Sequence, residues 1–201
     1  MSEPNDGAPT LSGLALWWRQ RRLLRRIRRG NEGSRWEAAR ELSTLKGETT
    51  RVRLVRLLSS GRGREETRAA AAYALGFLGD LKAVDPLVET LGNLEESTEV
   101  RAYAAEALGH LLQEKPVLAD ARLAITSGLR DRSPEVRFWC AFSAGVLGLA
   151  ESRPQLEQMA DSDDALVEGW WSVGEEATWA LRVLAGEEDP PLPGDGDTRR
   201  A

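Results

Sequence analysis

The chain has one cysteine, Cys140, and one histidine, His110, among its 201 residues. A lone cysteine excludes an internal disulfide, and the two together cannot make a zinc cage of histidine and cysteine ligands. Lysine is scarce as well, with Lys46, Lys82 and Lys115 standing beside 24 arginines. No segment approaches the roughly 18 uninterrupted apolar residues that a membrane span needs. The first thirty residues have no apolar stretch between a basic start and a small-residue cleavage site, so secretion is not expected. Strict apolar/polar alternation, the mark of a half-buried strand, is missing throughout. What is present, 41% hydrophobic and 29% charged residues, suits a folded chain and not a disordered one. The expectation is a cytoplasmic, all-helical protein.

Charge is unevenly placed. Residues 1–30 carry seven arginines against Glu3 and Asp6, a net of +5, so the remainder carries −10 of the total −5. An acidic body with one basic segment argues against general nucleic-acid binding, which needs a broad positive footprint.

The chain repeats itself. TRAAAAYALGFLGD begins at Thr67, VRAYAAEALGHLL at Val100 and VRFWCAFSAGVLG at Val136. A weaker copy, SRWEAARELSTLKG, begins at Ser34, and a degenerate one, VGEEATWALRVLAG, at Val173. Arg35, Arg68, Arg101 and Arg137 occupy one frame at spacings of 33, 33 and 36, and Gly174 takes that place 37 residues later. Ahead of the later copies lie apolar sets at helical spacing: Val52, Leu54, Val55, Leu58; Val84, Leu87, Val88, Leu91; Leu123, Ile125, Leu129; Leu156, Met159, Ala160. Each unit therefore reads as a helix pair, A then B. Ser34 with Glu37 and Ser172 with Glu175 have capping-box spacing, and Ser133-Pro134 reads as N-cap followed by the first helical residue. A single pair cannot bury its apolar face, but a stack of five can.

The pattern V-R-x-x-A-x-x-A-L-G-x-[LI]-G-D, preceded by a helix ending in L-x-x-x-L, resembles the short HEAT repeats of bilin-lyase-type proteins. The resemblance implies an all-α, right-handed solenoid of about five helix pairs, with A helices outside and B helices on the concave side. Units fall at about 14–47, 48–80, 81–115, 116–150 and 151–187. Residues 1–13 and 188–201, polar and rich in proline and glycine, are expected to be disordered tails. The architecture implies no reaction by itself.

The arginine ladder has two readings, anion binding or structural pairing with turn carboxylates such as Asp80, Asp120, Asp131, Glu66, Glu99 and Glu135. Recurrence in every unit favours the structural one. His110 falls where other units have Phe77, Val146 and Val183, and Cys140 where they have Ala71 and Ala104, so both read as packing residues. Asp161-Ser162-Asp163-Asp164 lacks the glycine and the final glutamate of a calcium loop and reads as a turn. No catalytic constellation is organised, and no metal or cofactor is expected.

Three features suggest binding. On helix B, Ala102, Glu106 and Gly109 lie opposite the apolar arc and are expected to be wet. The equivalent rows are Trp36, Ala69, Ala102, Phe138, Glu175 and Arg40, Tyr73, Glu106, Phe142, Trp179, flanked by Tyr103 and Trp139. Aromatics outside a core mark binding surfaces, although these rings could equally fill the seams between B helices. Trp36, Tyr73, Tyr103, Glu106, Phe138, Trp139, Phe142, Glu175 and Trp179 are thus the candidate partner site, suited to a basic helix or extended segment of another protein whose basic residues face Glu37, Glu106, Glu175 and Glu176. The basic segment around Trp18, Arg21, Arg22, Arg25 and Arg28, with a stripe of Leu14, Trp17, Leu23, Leu24 and Ile27, is either the first A helix, a membrane-surface helix or a phosphate contact. Trp170-Trp171 either plugs the end of the array over Leu166 and Trp179 or forms an exposed tip. The resemblance also implies a second class of function, a tetrapyrrole-binding lyase or chaperone.

Overall fold

Glycine and alanine decide which helices meet. The computed structural model describes residues 13–61, 63–188 and 190–193. Ten α-helices run in order: α1 Gly13–Arg29, α2 Glu32–Thr44, α3 Glu48–Leu58, α4 Glu65–Leu78, α5 Val84–Gly92, α6 Thr98–Leu112, α7 Ala119–Gly128, α8 Pro134–Val146, α9 Arg153–Ser162 and α10 Val173–Leu184. They form five pairs. Each even helix packs along the next even one, α2 on α4, α4 on α6, α6 on α8 and α8 on α10, while the odd helices meet one another far less. The tighter row lies on the inside of the curve, so the result is an all-α solenoid lined by its B helices.

The inner row is close because of one repeated position. A Cβ on Gly76 would lie 2.7 Å from the Ala107 Cα, one on Gly109 2.5 Å from the Ser143 Oγ, and one on Gly145 3.0 Å from the Ala180 Cα. In the last repeat this place is held by Arg182, after which no further helix follows among the described residues. The Ser143 hydroxyl completes its contact by donating to the Ala105 carbonyl at 2.7 Å.

Such close neighbours bury α6 nearly all round. From Val100 to Leu112 only Tyr103 and His110 are partly open. The expectation that Ala102, Glu106 and Gly109 would be wet is therefore corrected: a B helix with partners on both flanks has only a narrow strip left for solvent. The odd helices bury one stripe each, such as Leu54, Leu57 and Leu58 on α3 or Val84, Leu87 and Leu91 on α5.

The arginine ladder stitches the pairs together. Arg68 makes a two-pronged bond to Glu96, with distances of 2.9 and 2.7 Å, and Arg101 does the same with Asp131. Glu96 and Asp131 sit in the A–B loop of the following repeat, and so does Asp163, the partner of Arg137. Arg35 instead donates to the carbonyls of Ile27 and Gly30. Of the carboxylates expected to pair, only Asp131 does so; Asp80 is held by Arg51 at 2.8 Å.

Several boundaries differ from expectation. Helix α2 starts at Glu32 with Asn31 as N-cap, so Ser34 lies inside it and is the residue whose N–H is capped. The Ser172–Glu175 capping box and the Ser133 cap ahead of Pro134 are present. Helix α1 docks as the first A helix through Leu23 and Ile27. Leu14 and Trp17, placed in the same stripe, are exposed. Residues 1–12 and 194–201 lie outside the described residues. Within the expected C-terminal tail, Pro190 is buried and its carbonyl accepts from the Trp179 Nε1–H at 3.2 Å, so the chain folds back over α10 there. No helix among the described residues is long and apolar enough to cross a membrane.

Candidate functional site: an aromatic ladder with an acidic pocket

Aromatic side chains form one connected ladder across all five B helices. Trp36 on α2 meets Tyr73 on α4 and Tyr103 on α6, with ring centroids 5.7 and 4.8 Å apart. Tyr73 leads to Phe77 at 4.8 Å, Phe77 to His110 at 4.4 Å and His110 to Phe142 on α8 at 5.2 Å. Phe142 stacks on Trp179 of α10 at 6.0 Å. Most of these rings are half-buried. They both fill the inner seams and present an edge, so the two readings of the sequence describe one arrangement. Geometry of this kind adds to the burial energy of each ring.

At its C-terminal end the ladder widens into a pocket of about 160 Å³, lined by rings of Phe138, Trp139, Phe142, Trp170, Trp171 and Trp179. Glu106, His110, Glu176 and Leu192 complete the lining. Phe138, expected on the contact surface, is the pocket's buried floor beneath Trp139, Trp170 and Trp171.

The ten-residue loop before α10 builds one wall. Val167 and Trp171 are bonded across it, Val173 N–H donates to the Ala165 carbonyl, and Gly169 turns the chain with φ of 78°. That braced turn lays Trp170 against Trp139 at 5.2 Å. Trp170 stays partly exposed and Trp171 half-buried, so the pair is neither a buried plug over Leu166 nor a free tip. They rest on Phe138 and Trp139; Leu166 stays exposed. They belong to the pocket and are remote in the fold from the arginine-rich face of α1.

Two buried carboxylates face these rings. The Glu106 Oε2 is buried and has no hydrogen-bond partner among the described residues, and its Oε1 lies 3.7 Å from the His110 Nε2. Glu176 is 2% exposed and accepts a 2.7 Å bond from the Trp171 Nε1–H. Burial pushes the Glu176 carboxyl up to about 7, against the opposing pull of the indole N–H. Burial, followed by the charge of Glu106, also raises the Tyr103 phenol, so it stays a neutral group. Of the acids expected to face a basic segment, Glu175 has its carboxylate engaged in the helix cap with Ser172 and Glu37 pairs with Arg26. Glu106 and Glu176 are the two that line the pocket. The signal was in the repeat frame, where Glu176 continues the row of Tyr103 and Trp139. Phe77 and His110, taken as packing residues, are rungs of the ladder.

Chemically, aromatic walls with carboxylates behind them suit a cation. Ring faces attract positive charge, the more so when water is excluded, and an unpaired buried carboxylate is costly until a donor reaches it. Among the described residues no group of three or more histidine, cysteine, aspartate or glutamate side chains could hold a metal. Trp18, Arg21, Arg22, Arg25 and Arg28 lie together on the outer side of α1, away from this pocket.

The fold is a repeat solenoid with a recess of aromatic and acidic side chains on its inner row. The chain belongs to the HEAT-repeat family: the family model for HEAT repeats matches residues 21–96 and 86–182. No curated protein matches it. Among solved structures it is similar to a chain from the CpcE–CpcF complex of the phycocyanin lyase of Nostoc, with TM-score 0.66 and 19% identity, covering 82% of this chain and 99% of that one. It is similar to YibA of Escherichia coli, with TM-score 0.66 and 21% identity, covering 90% and 67%. A designed armadillo repeat protein in complex with a (KR)4 peptide gives TM-score 0.51 and 21% identity, covering 81% and 80%. At these identities the likeness is one of fold.

Proposed function

We propose that the protein is a scaffold that holds a segment of a partner protein along its aromatic ladder, with a lysine or arginine side chain of that segment anchored in the Glu106–Glu176 pocket. The Glu106 Oε2, buried without a hydrogen-bond partner among the described residues, carries this proposal. A guanidinium or ammonium group supplies the missing donors and places its charge between ring faces. A long apolar side-chain stem then packs on the tryptophans. Outside the pocket the ladder offers flat ring edges at intervals, which suits an extended or helical segment laid across the B helices. The designed armadillo protein with its Lys/Arg peptide is a case of a like fold accepting that class of ligand.

The test uses a fluorescein-labelled peptide of alternating lysine and arginine and its glutamate counterpart, read by anisotropy against the full chain. Binding of the basic peptide alone, weakened about tenfold or more by Glu106→Gln or Glu176→Gln, supports the scaffold. Binding unchanged in both variants, or none to either peptide, overturns it.

A further inference from the structure

The outer face of the first two A helices carries a second surface, independent of the ladder. Helix α1 buries Leu23 and Ile27 against the array, which leaves its opposite side to solvent. There an open trough of about 1190 Å³ is lined by Arg19, Arg21, Arg22, Arg25, Arg28 and Arg29 from α1, together with Arg53 and Arg56 from α3. No carboxylate lines it. Arg19 is neutralised by Glu41 and Arg53 donates to Gln20, whereas Arg22, Arg25, Arg28, Arg29 and Arg56 have no ion pair among the described residues. A cluster of like charges held on rigid helices is repelled by itself and gains by meeting an anionic surface.

The apolar groups on that face decide what kind of anionic surface. At the N-terminal end of α1, Leu14 is 76% exposed and Trp18 63%. Trp17, which also lines the trough, packs edge-on against Trp18 at 4.8 Å and lies under the Arg21 guanidinium at 5.1 Å. Leu14 and Trp18 are one turn apart and so project side by side. A phosphate backbone makes use of the arginines and a base can stack on an indole, but neither gives an aliphatic leucine anything. The headgroup layer of a bilayer takes all three: arginine at lipid phosphates, indole at the interface and leucine in the acyl boundary. Geometry agrees, since the basic face ends at α3 while α5 beyond it exposes Asp85 and Glu89. A contact made by one end of the array meets a plane with this patch alone.

We infer that the α1–α3 face docks the protein on an anionic membrane surface, with arginines at the lipid phosphates and Leu14 and Trp18 inserted between headgroups. Attachment is peripheral and reversible, and it leaves the concave ladder open on the other side of the molecule.

The experiment is co-sedimentation of the full chain with vesicles of phosphatidylcholine alone or mixed with phosphatidylserine, at low and high salt. Binding is expected only to the phosphatidylserine vesicles and to fall at high salt. Arg22→Glu with Arg25→Glu, and separately Leu14→Ser with Trp18→Ser, are each expected to lower the bound fraction by roughly tenfold. All four positions are exposed, so circular dichroism should be unaltered; Glu106→Gln, in the concave pocket, should sediment like wild type. Failure to bind phosphatidylserine vesicles at low salt overturns the inference. So does full binding by the Leu14/Trp18 variant, or binding to single-stranded polyuridylate that survives that variant while vesicles are ignored. None of these outcomes touches the peptide assay of the ladder.

Discussion

Arg137 leaves its own repeat and clasps Asp163 in the next, with Nε to Oδ2 at 2.7 Å and the second prong to Oδ1 at 2.9 Å. The same arginine also donates to the carbonyls of Asp131 and Arg132 in its own A–B loop. One guanidinium thus ties two successive loops, and its five fixed donors make it the only side chain suited to the task. Arg101 and Arg68 repeat the clasp one and two units earlier. In a solenoid, where stability is close to a sum of unit and interface terms, these clasps belong to the interfaces.

The innermost clasp should be the most costly to break. Arg101 and Asp131 have side chains only 8% and 10% exposed. Arg101→Ala strands a buried carboxylate and is expected to cost about 3–5 kcal/mol in urea unfolding. Arg122 and Glu151 form a comparable pair at 2.6 Å, but their side chains are 44% and 45% exposed. Arg122→Ala is expected to cost under about 1 kcal/mol. Equal losses in the two variants would remove the clasp from the account of stability.

The repeated glycine of the inner row makes a second contrast. A Cβ on Gly76 would meet the Ala107 Cα and Cβ at 2.7 and 2.9 Å, and neither can swing away. Gly76→Ala is expected to destabilise by about 1–3 kcal/mol through forced separation of α4 and α6, more than offsetting the gain in helix propensity. Gly33, on the surface of α2, has nothing within 4 Å of its would-be Cβ. Gly33→Ala should be neutral or stabilise by up to about 1 kcal/mol. Thermal unfolding of the two variants decides it; a stabilised Gly76→Ala would mean the inner row is not set by that contact.

The helix pairs and their order were legible because each unit writes its apolar spacing afresh, and the strong copies on α4 and α6 set a frame in which the weaker ones can be recognised. Solvent exposure on the B helices was not. A single helical wheel gives α6 a wet side through Ala102, Glu106 and Gly109, but burial there is imposed by α4 and α8 together, which one helix's pattern cannot contain. Trp36, Tyr73, Tyr103, Phe142 and Trp179 were found from the repeat frame, whereas Phe77 and His110 fall in a row of that frame that otherwise holds valines and reads as packing. Glu37, Glu106, Glu175 and Glu176 were all legible as candidate acids, but which of them line the pocket was not: Glu175 is held in a capping box and Glu37 by Arg26, and only tertiary packing separates those roles from those of Glu106 and Glu176. Glu96 and Asp163 escaped as arginine partners for a related reason: the loops that carry them differ in length, so no fixed spacing points to them.

Cys140 provides a check on core packing. It is fully buried on α8, with Gly128 of α7 leaving room for its sulfur. Burial pushes its thiol well above the ordinary cysteine range. A thiol that is neither ionised nor reachable reacts slowly. The native protein is expected to resist a water-soluble disulfide reagent for as long as it stays folded, and to react fully in urea. Rapid reaction without denaturant would show that α7 and α8 separate readily.

Glu176 makes both stability and ligand binding depend on pH, and the sign follows from its burial. Below about pH 4.5, the ordinary value, the carboxyl is protonated in folded and unfolded chains alike and contributes no pH dependence. Between there and about 7 the unfolded chain ionises while the folded one keeps its proton, so stability falls as pH rises. Above about 7 the loss is complete, on the order of 3 kcal/mol from a shift of this size. Glu176→Gln has no proton to lose, so its stability relative to wild type should climb across the same window. Trp171→Phe removes the indole donor that holds the carboxyl down, and should carry the window to higher pH. A cation in the pocket favours the ionised carboxylate, so affinity for the lysine–arginine peptide should rise through neutrality in wild type. In Glu176→Gln that rise should be lost or greatly reduced. Urea unfolding and peptide anisotropy from pH 4.5 to 8 read both effects; a wild-type and Glu176→Gln pair that differ by a constant amount at every pH would show that this carboxyl does not titrate in the folded protein.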